Sequence, residues 1–181
     1  MLLPNNSCKN TNIEVGKKTP DFNLKNEKGE NWSLSQQLGN VTVLLFYPKN
    51  ETLVCTKQLC SVRDHWEQYL ETKAVVVGIS PASPEEHDQF GKKYKLPLTL
   101  LSDNRREVTQ QFGRHWLFPV HLMRSIVVID AKGIIRHITT MLRVFRPLDS
   151  DIFRVIHAAR GDALLEKYDN LRKSFWKERS L

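Results

Sequence analysis

At 181 residues, the chain has the length of one domain with a full core, and its formal net charge of +7 comes from dispersed cations. Lys92-Lys93 and Arg105-Arg106 are short basic clusters before the C-terminal tail. No glycine-rich phosphate loop, zinc-type cysteine spacing or aromatic nucleic-acid motif accompanies them, so no nucleic-acid partner is expected. Three cysteines, an odd and small number, do not make a disulfide scaffold. With no apolar run of membrane-span length and no charged n-region before an apolar h-region, a reducing, cytoplasmic location and no membrane partner are expected.

The first twelve residues, with Cys8 in Asn5-Asn6-Ser7-Cys8-Lys9-Asn10, have the polar composition of a flexible tail. The apolar run Val41 to Tyr47 reads as a buried strand stopped by Pro48, and beyond it Val54, Leu59, Val62, Trp66 and Leu70 recur with helical spacing. Cys55 therefore lies in or near a first helical turn. Ala74 to Ser80 is a second apolar strand. Ser83-Pro84-Glu85-Glu86 is a capping box with proline at the first helical position, opening a helix to about Tyr94. A strand at Leu98 to Leu101 precedes a helix near Asn104 to Phe112. Strands Ser125 to Asp130 and Ile134 to Thr140 form a hairpin turned by Ala131-Lys132-Gly133, and a helix starts at about Asp149. Strands alternating with helices predict an α/β sandwich. Beyond it, Leu164, Tyr168, Leu171 and Phe175 trace one apolar stripe of a C-terminal helix, to be covered by its own domain or by a partner. The expected organisation is a tail over 1–12, a domain over 13–160 and a helical extension over 161–181.

Cys55 carries the chemistry of this pattern. The free amides and positive end of a helix favour a negative group, so a thiol placed there ionises more readily. Ionisation alone is a small lever: a free thiol of pKa near 8.5 is about 3% thiolate at pH 7, leaving about thirtyfold to gain, part of which falling nucleophilicity takes back. Most acceleration must come from groups that orient an electrophile and stabilise the charge on its leaving atom. Thr52, three residues before the thiol, can cap the helix and face the sulfur at once. From the residues alone, Cys55 and Cys60 could be small core hydrophobes, Arg124 a solvated residue at a strand start, and Gln58 a surface position.

The segment Pro48-Lys49-Asn50-Glu51-Thr52-Leu53-Val54-Cys55 resembles the peroxiredoxin signature P-x-x-x-T-x-x-C. The second cysteine five residues on, with Cys55-Thr56-Lys57-Gln58, resembles the Q-type, or bacterioferritin comigratory protein, branch. Val15 to Phe22, Leu98 to Asp103 and Arg124 before Ser125 to Asp130 are similar to further family segments. Many members of that branch carry Pro-Gly where this chain has Leu53-Val54, and the stretch Arg114 to Met123, with His115 and His121, is unlike the expected short connection.

The resemblance implies a thioredoxin-like α/β/α sandwich with a central mixed β-sheet. It also implies a peroxidase in which Cys55 attacks hydrogen peroxide or an organic hydroperoxide, while Thr52 and Arg124 hold the substrate. Pro48 would shield the thiolate and Gln58 support the site. Cys60 would resolve the sulfenic acid as a Cys55–Cys60 disulfide, recycled by thioredoxin or a similar dithiol in a monomer or weak homodimer. No metal or organic cofactor is implied. Five residues of ideal helix separate two Cα atoms by about 8 to 9 Å, whereas a disulfide needs less than about 7 Å. Reduced protein should therefore hold one helix through both cysteines, and oxidation should unwind its first turns. Other readings are a thiol-disulfide oxidoreductase, which lacks the usual C-x-x-C, and a thioredoxin-like metal chaperone using Cys55, Cys60 and a histidine.

Overall fold

The structure is a computed structural model that describes residues 13–112, 123–142, 144–145 and 148–161. The expected tail, Cys8, His115, His121 and the C-terminal helix lie outside these residues. The described residues contain the elements β1 (Asn23–Asn26), β2 (Asn31–Ser33), β3 (Thr42–Phe46), α1 (Leu53–Asp64), α2 (Trp66–Glu71), β4 (Val75–Ser80), α3 (Pro84–Tyr94), β5 (Thr99–Ser102), α4 (Glu107–Phe112), β6 (Met123–Ile129), β7 (Ile135–Leu142) and α5 (Asp149–Arg160). The strands pair in the order β2-β1-β5-β4-β3-β6-β7. β3, β4 and β5 run parallel, and the outer pairings are antiparallel. This is the mixed sheet of the expected thioredoxin-like α/β/α sandwich.

Alternation along β3 builds both faces of the sheet, because successive side chains point to opposite sides. Val43, Leu45 and Tyr47 join Leu59 and Val62 of α1, Tyr69 of α2, Phe90 of α3 and Ile152 and Ile156 of α5 in one core. Leu44 and Phe46 join Phe22, Leu34 and, from α4, Val108 and Phe112 in the other. Gly78 of β4 lets these layers close: a Cβ there would stand 2.8 Å from Leu100 Cδ2 and 3.2 Å from the Tyr47 ring.

The capping box closes as the pattern predicts, Glu86 N donating to Ser83 Oγ at 3.2 Å and Ser83 N to Glu86 Oε2 at 2.7 Å. Two parts of the pattern fail for physical reasons. The helix expected to carry Trp66 and Leu70 ends at Asp64, and His65 turns the chain (φ −107°, ψ 19°) into α2. Asp149 at the start of α5 accepts from Ser61 Oγ at 2.5 Å and Tyr69 Oη at 2.7 Å. The turn brings Tyr69 to the core and leaves Leu70 58% exposed. The other failure is α4, which begins at Glu107 because Arg106 adopts a left-handed φ of 57°. Strands β1 and β2 were not anticipated: each carries a single apolar side chain, too few for a period to register.

Asp130 closes the β6–β7 turn, with Oδ1 accepting from Lys132 N and Ile134 N at 2.9 Å and Oδ2 from Arg136 Nε at 2.6 Å. Burial pushes its pKa up, but the amide of Ile134, Arg136 and the amide of Lys132 outweigh it and hold the carboxyl below its ordinary value. A depressed carboxyl stabilises the fold above its unfolded pKa of about 3.9, and that contribution is lost as pH falls through the folded value. Asp130→Asn should lose about 1–3 kcal/mol near neutral pH. Urea titrations of the variant should also show a flatter decline than wild type between pH 5 and pH 2.

Candidate active site

β3 ends at Phe46, and the chain passes through Tyr47 into a five-residue loop, from buried Pro48 to Thr52, before α1. Glu51 takes a left-handed φ of 58° that reverses the chain. Thr52 is then extended (φ −79°, ψ 144°) and caps α1, with Oγ1 accepting from Cys55 N at 3.4 Å. The cap sets Cys55 in the first helical turn, with its sulfur turned inward and only 1% of the residue exposed. α1 runs without interruption through Cys60, which is half-buried, and both thiols are free.

Arg124 arrives from across the sheet. Its neighbour Ser125 on β6 pairs with Phe46, so Arg124 lies at the end of β3 from which the Cys55 loop departs. It is wholly buried, and its Nη2 donates to Cys55 Sγ at 3.0 Å. Nη1 donates to Gln58 Oε1, three residues after Cys55 and therefore on the same face of α1. Among the described residues, Arg124 Nε and Gln58 Nε2 are buried without a hydrogen-bond partner. The guanidinium and the helix N-terminus together put positive potential at the sulfur.

Thus Thr52, Cys55, Gln58 and Arg124 meet in one place after buried Pro48, and Cys60 stands farther along the same helix. The readings of Arg124 and Gln58 as solvated surface residues do not hold, since both are buried, Arg124 against the sulfur and Gln58 against Arg124. Among the described residues, no three His, Cys, Asp or Glu side chains are grouped to hold a metal ion, and no helix is long and apolar enough to cross a membrane.

Sequence reasoning missed the polar residues behind the loop. Tyr47 Oη donates to Asn50 Oδ1 at 3.0 Å and lies 3.4 Å from His87 Nδ1. Burial raises the Tyr47 pKa well above its ordinary value, the Cys55 charge adding to this while Ser80 and Arg124 oppose it, so the phenol remains a donor. The only sequence signal was a histidine one helical turn after Ser83.

The sequence model of the AhpC/TSA family matches residues 15–138. The chain is 41% identical over 134 residues to the chloroplastic peroxiredoxin Q of Populus jackii, across 72% of this chain and 63% of that protein. It is 39% identical over 138 residues to the putative peroxiredoxin bcp of Coxiella burnetii, across 73% of this chain and 91% of that one. It thus spans less than two thirds of the plant relative's length. The crystal structure of peroxidoxin BcpB from Mycobacterium tuberculosis superposes with a TM-score of 0.70 at 29% identity, covering 81% of this chain and 98% of that one. A thiol in the first turn of α1 beside a buried arginine, on this fold and with these relatives, means that the chain belongs to the AhpC/TSA family, in its peroxiredoxin Q and Bcp branch.

Proposed function

We propose that this protein is a thiol-dependent peroxidase acting through Cys55, on the strength of one contact above all: the 3.0 Å approach of Arg124 Nη2 to Cys55 Sγ. The Cys55 thiolate attacks the terminal oxygen of hydrogen peroxide or an organic hydroperoxide. The S–O bond forms as the O–O bond breaks, sulfur is oxidised to a sulfenic acid, and the departing oxygen takes a proton and leaves as water or alcohol. Arg124 and the Thr52 hydroxyl hold the peroxide, while the guanidinium and the amides of α1 stabilise the developing negative charge. Gln58 fixes the guanidinium, and Pro48 shields the sulfur.

Cys60 then attacks the Cys55 sulfenic sulfur, a disulfide forms and water leaves. Thioredoxin or a similar dithiol restores both thiols in a reducing, cytoplasmic setting. Closing that disulfide requires α1 to unwind, because five residues of intact helix hold the cysteines too far apart. The contacts of Ser61 and Tyr69 with Asp149 anchor the far end of α1, so unwinding should stop before α2. Hydrogen exchange should show faster amides over residues 54–60 in the oxidised protein and unchanged protection over 66–71. Equal protection of 54–60 in both states would rule out the unwinding step. Cys60→Ser should keep the first oxidation near the wild-type rate and lose cycling with thioredoxin.

The direct test mixes reduced protein with one equivalent of hydrogen peroxide in a stopped-flow instrument, then alkylates and maps the cysteines. Fast oxidation that links Cys55 to Cys60 is expected. Slow oxidation, or none at Cys55, overturns the peroxidase reading.

A further inference from the structure

Behind the Cys55 loop lies a buried polar cluster that the peroxidase chemistry does not use. His87 of α3 is completely buried. Its Nε2 lies 3.3 Å from Ser80 Oγ at the end of β4, and its Nδ1 lies 3.4 Å from both Tyr47 Oη and Asn50 Nδ2. Asn50, in the middle of the loop, accepts from Tyr47 Oη through Oδ1 at 3.0 Å and donates through Nδ2 to the Glu86 carbonyl at 3.4 Å. On the surface, Lys93 of α3 pairs with Glu51 of the loop at 2.6 Å. The segment that presents Thr52 and Cys55 is therefore tied to α3 at two successive residues.

We propose that His87, through Asn50 and Tyr47, is a positioning residue that latches the Pro48–Thr52 loop to α3, and that the latch holds only while the imidazole is neutral. This rests on the peroxidase reading of Cys55. A neutral ring with hydrogen on Nε2 donates to Ser80 and leaves Nδ1 to accept from Asn50 Nδ2. A protonated ring carries hydrogen on both nitrogens, so Nδ1 meets the Asn50 amide donor to donor and that anchor is lost.

The surroundings favour the neutral ring. Burial lowers the His87 pKa from its ordinary value. The Leu101 and Ser80 backbones and the carboxylates of Glu27, on the β1–β2 turn, and Glu86, on α3 itself, oppose that shift. The uncharged Tyr47 and Ser80 face the ring from just beyond β3 and from the end of β4. A loop released from α3 no longer fixes the Thr52 cap or the direction of the sulfur, and misplacement of about 1 Å at a reacting centre is enough to slow it strongly.

The test combines peroxide oxidation rates, normalised to the thiolate fraction measured by ultraviolet absorbance, with hydrogen exchange of amides 49–55 from pH 4.5 to 8. At pH 7, Asn50→Ala and His87→Leu should each slow oxidation per thiolate by about tenfold or more and speed loop exchange. His87→Asn, which keeps an acceptor near the Nδ1 position and cannot be protonated in this range, should stay within about twofold of wild type. Wild type should lose rate per thiolate and loop protection in acid below its ordinary histidine range, and His87→Asn should show neither loss.

Wild-type loop protection and rate per thiolate in Asn50→Ala would overturn the proposal even if His87→Leu fails to fold. An acid profile of His87→Asn that follows wild type would also overturn it. Wild-type protein that is not oxidised at all fails the peroxidase reading instead, and loop exchange in the same variants still decides the latch.

Discussion

Lysine in place of Arg124 is expected to slow the oxidation of Cys55 by about two to three orders of magnitude, the usual cost of removing a preorganised charge-stabilising donor. The charge survives the substitution, but the geometry does not. The guanidinium reaches Cys55 Sγ with one nitrogen and Gln58 Oε1 with the other, and a single ammonium on a flexible stem cannot hold both directions. Because residue 124 is wholly buried, a weakened contact to Gln58 should also cost about 1–3 kcal/mol of stability. Stopped-flow rates at saturating thiolate, with urea titrations beside them, separate the two effects. A loss below about threefold in a folded Arg124→Lys protein would mean that charge alone suffices and that the fork has no role in catalysis.

Cys55→Ser should abolish peroxide consumption altogether. A hydroxyl at this position stays protonated at neutral pH and has no counterpart to the sulfenic acid, so the helix terminus and Arg124 have no thiolate to act upon. The substitution is small, and the oxygen can still accept from Arg124, so the fold should persist. Alkylation after peroxide treatment should recover Cys60 as a free thiol. Retained peroxide consumption with rapid loss of the Cys60 thiol would transfer the attacking role to Cys60, which is half-buried and lacks the arginine contact that Cys55 has.

These two residues also show where sequence reading reaches and where it stops. Cys55 is placed by local rules: the apolar run, Pro48, the Thr52 cap and the helical spacing all act within a few residues. Arg124 sits 69 positions away, and no local rule distinguishes a solvated strand-start arginine from one buried against a sulfur. Only the family resemblance singled it out in advance, and only the pairing of β6 with β3 places it beside the loop.

The same division runs through the rest of the molecule. The order of strands from β3 onward, the capping box of α3 and the helical turn carrying Cys55 follow from the sequence by itself, because apolar period, proline and capping side chains act over one or two turns of chain. The break between α1 and α2, the β1–β2 hairpin and the Tyr47–Asn50–His87 cluster were decided by tertiary structure alone. Asp149 reaches Ser61 and Tyr69 from 88 and 80 residues away, β1 is held by pairing with β5, and His87 meets Tyr47 across 40 residues. Such contacts depend on which surfaces the packed layers bring together, and no periodicity in the chain records them.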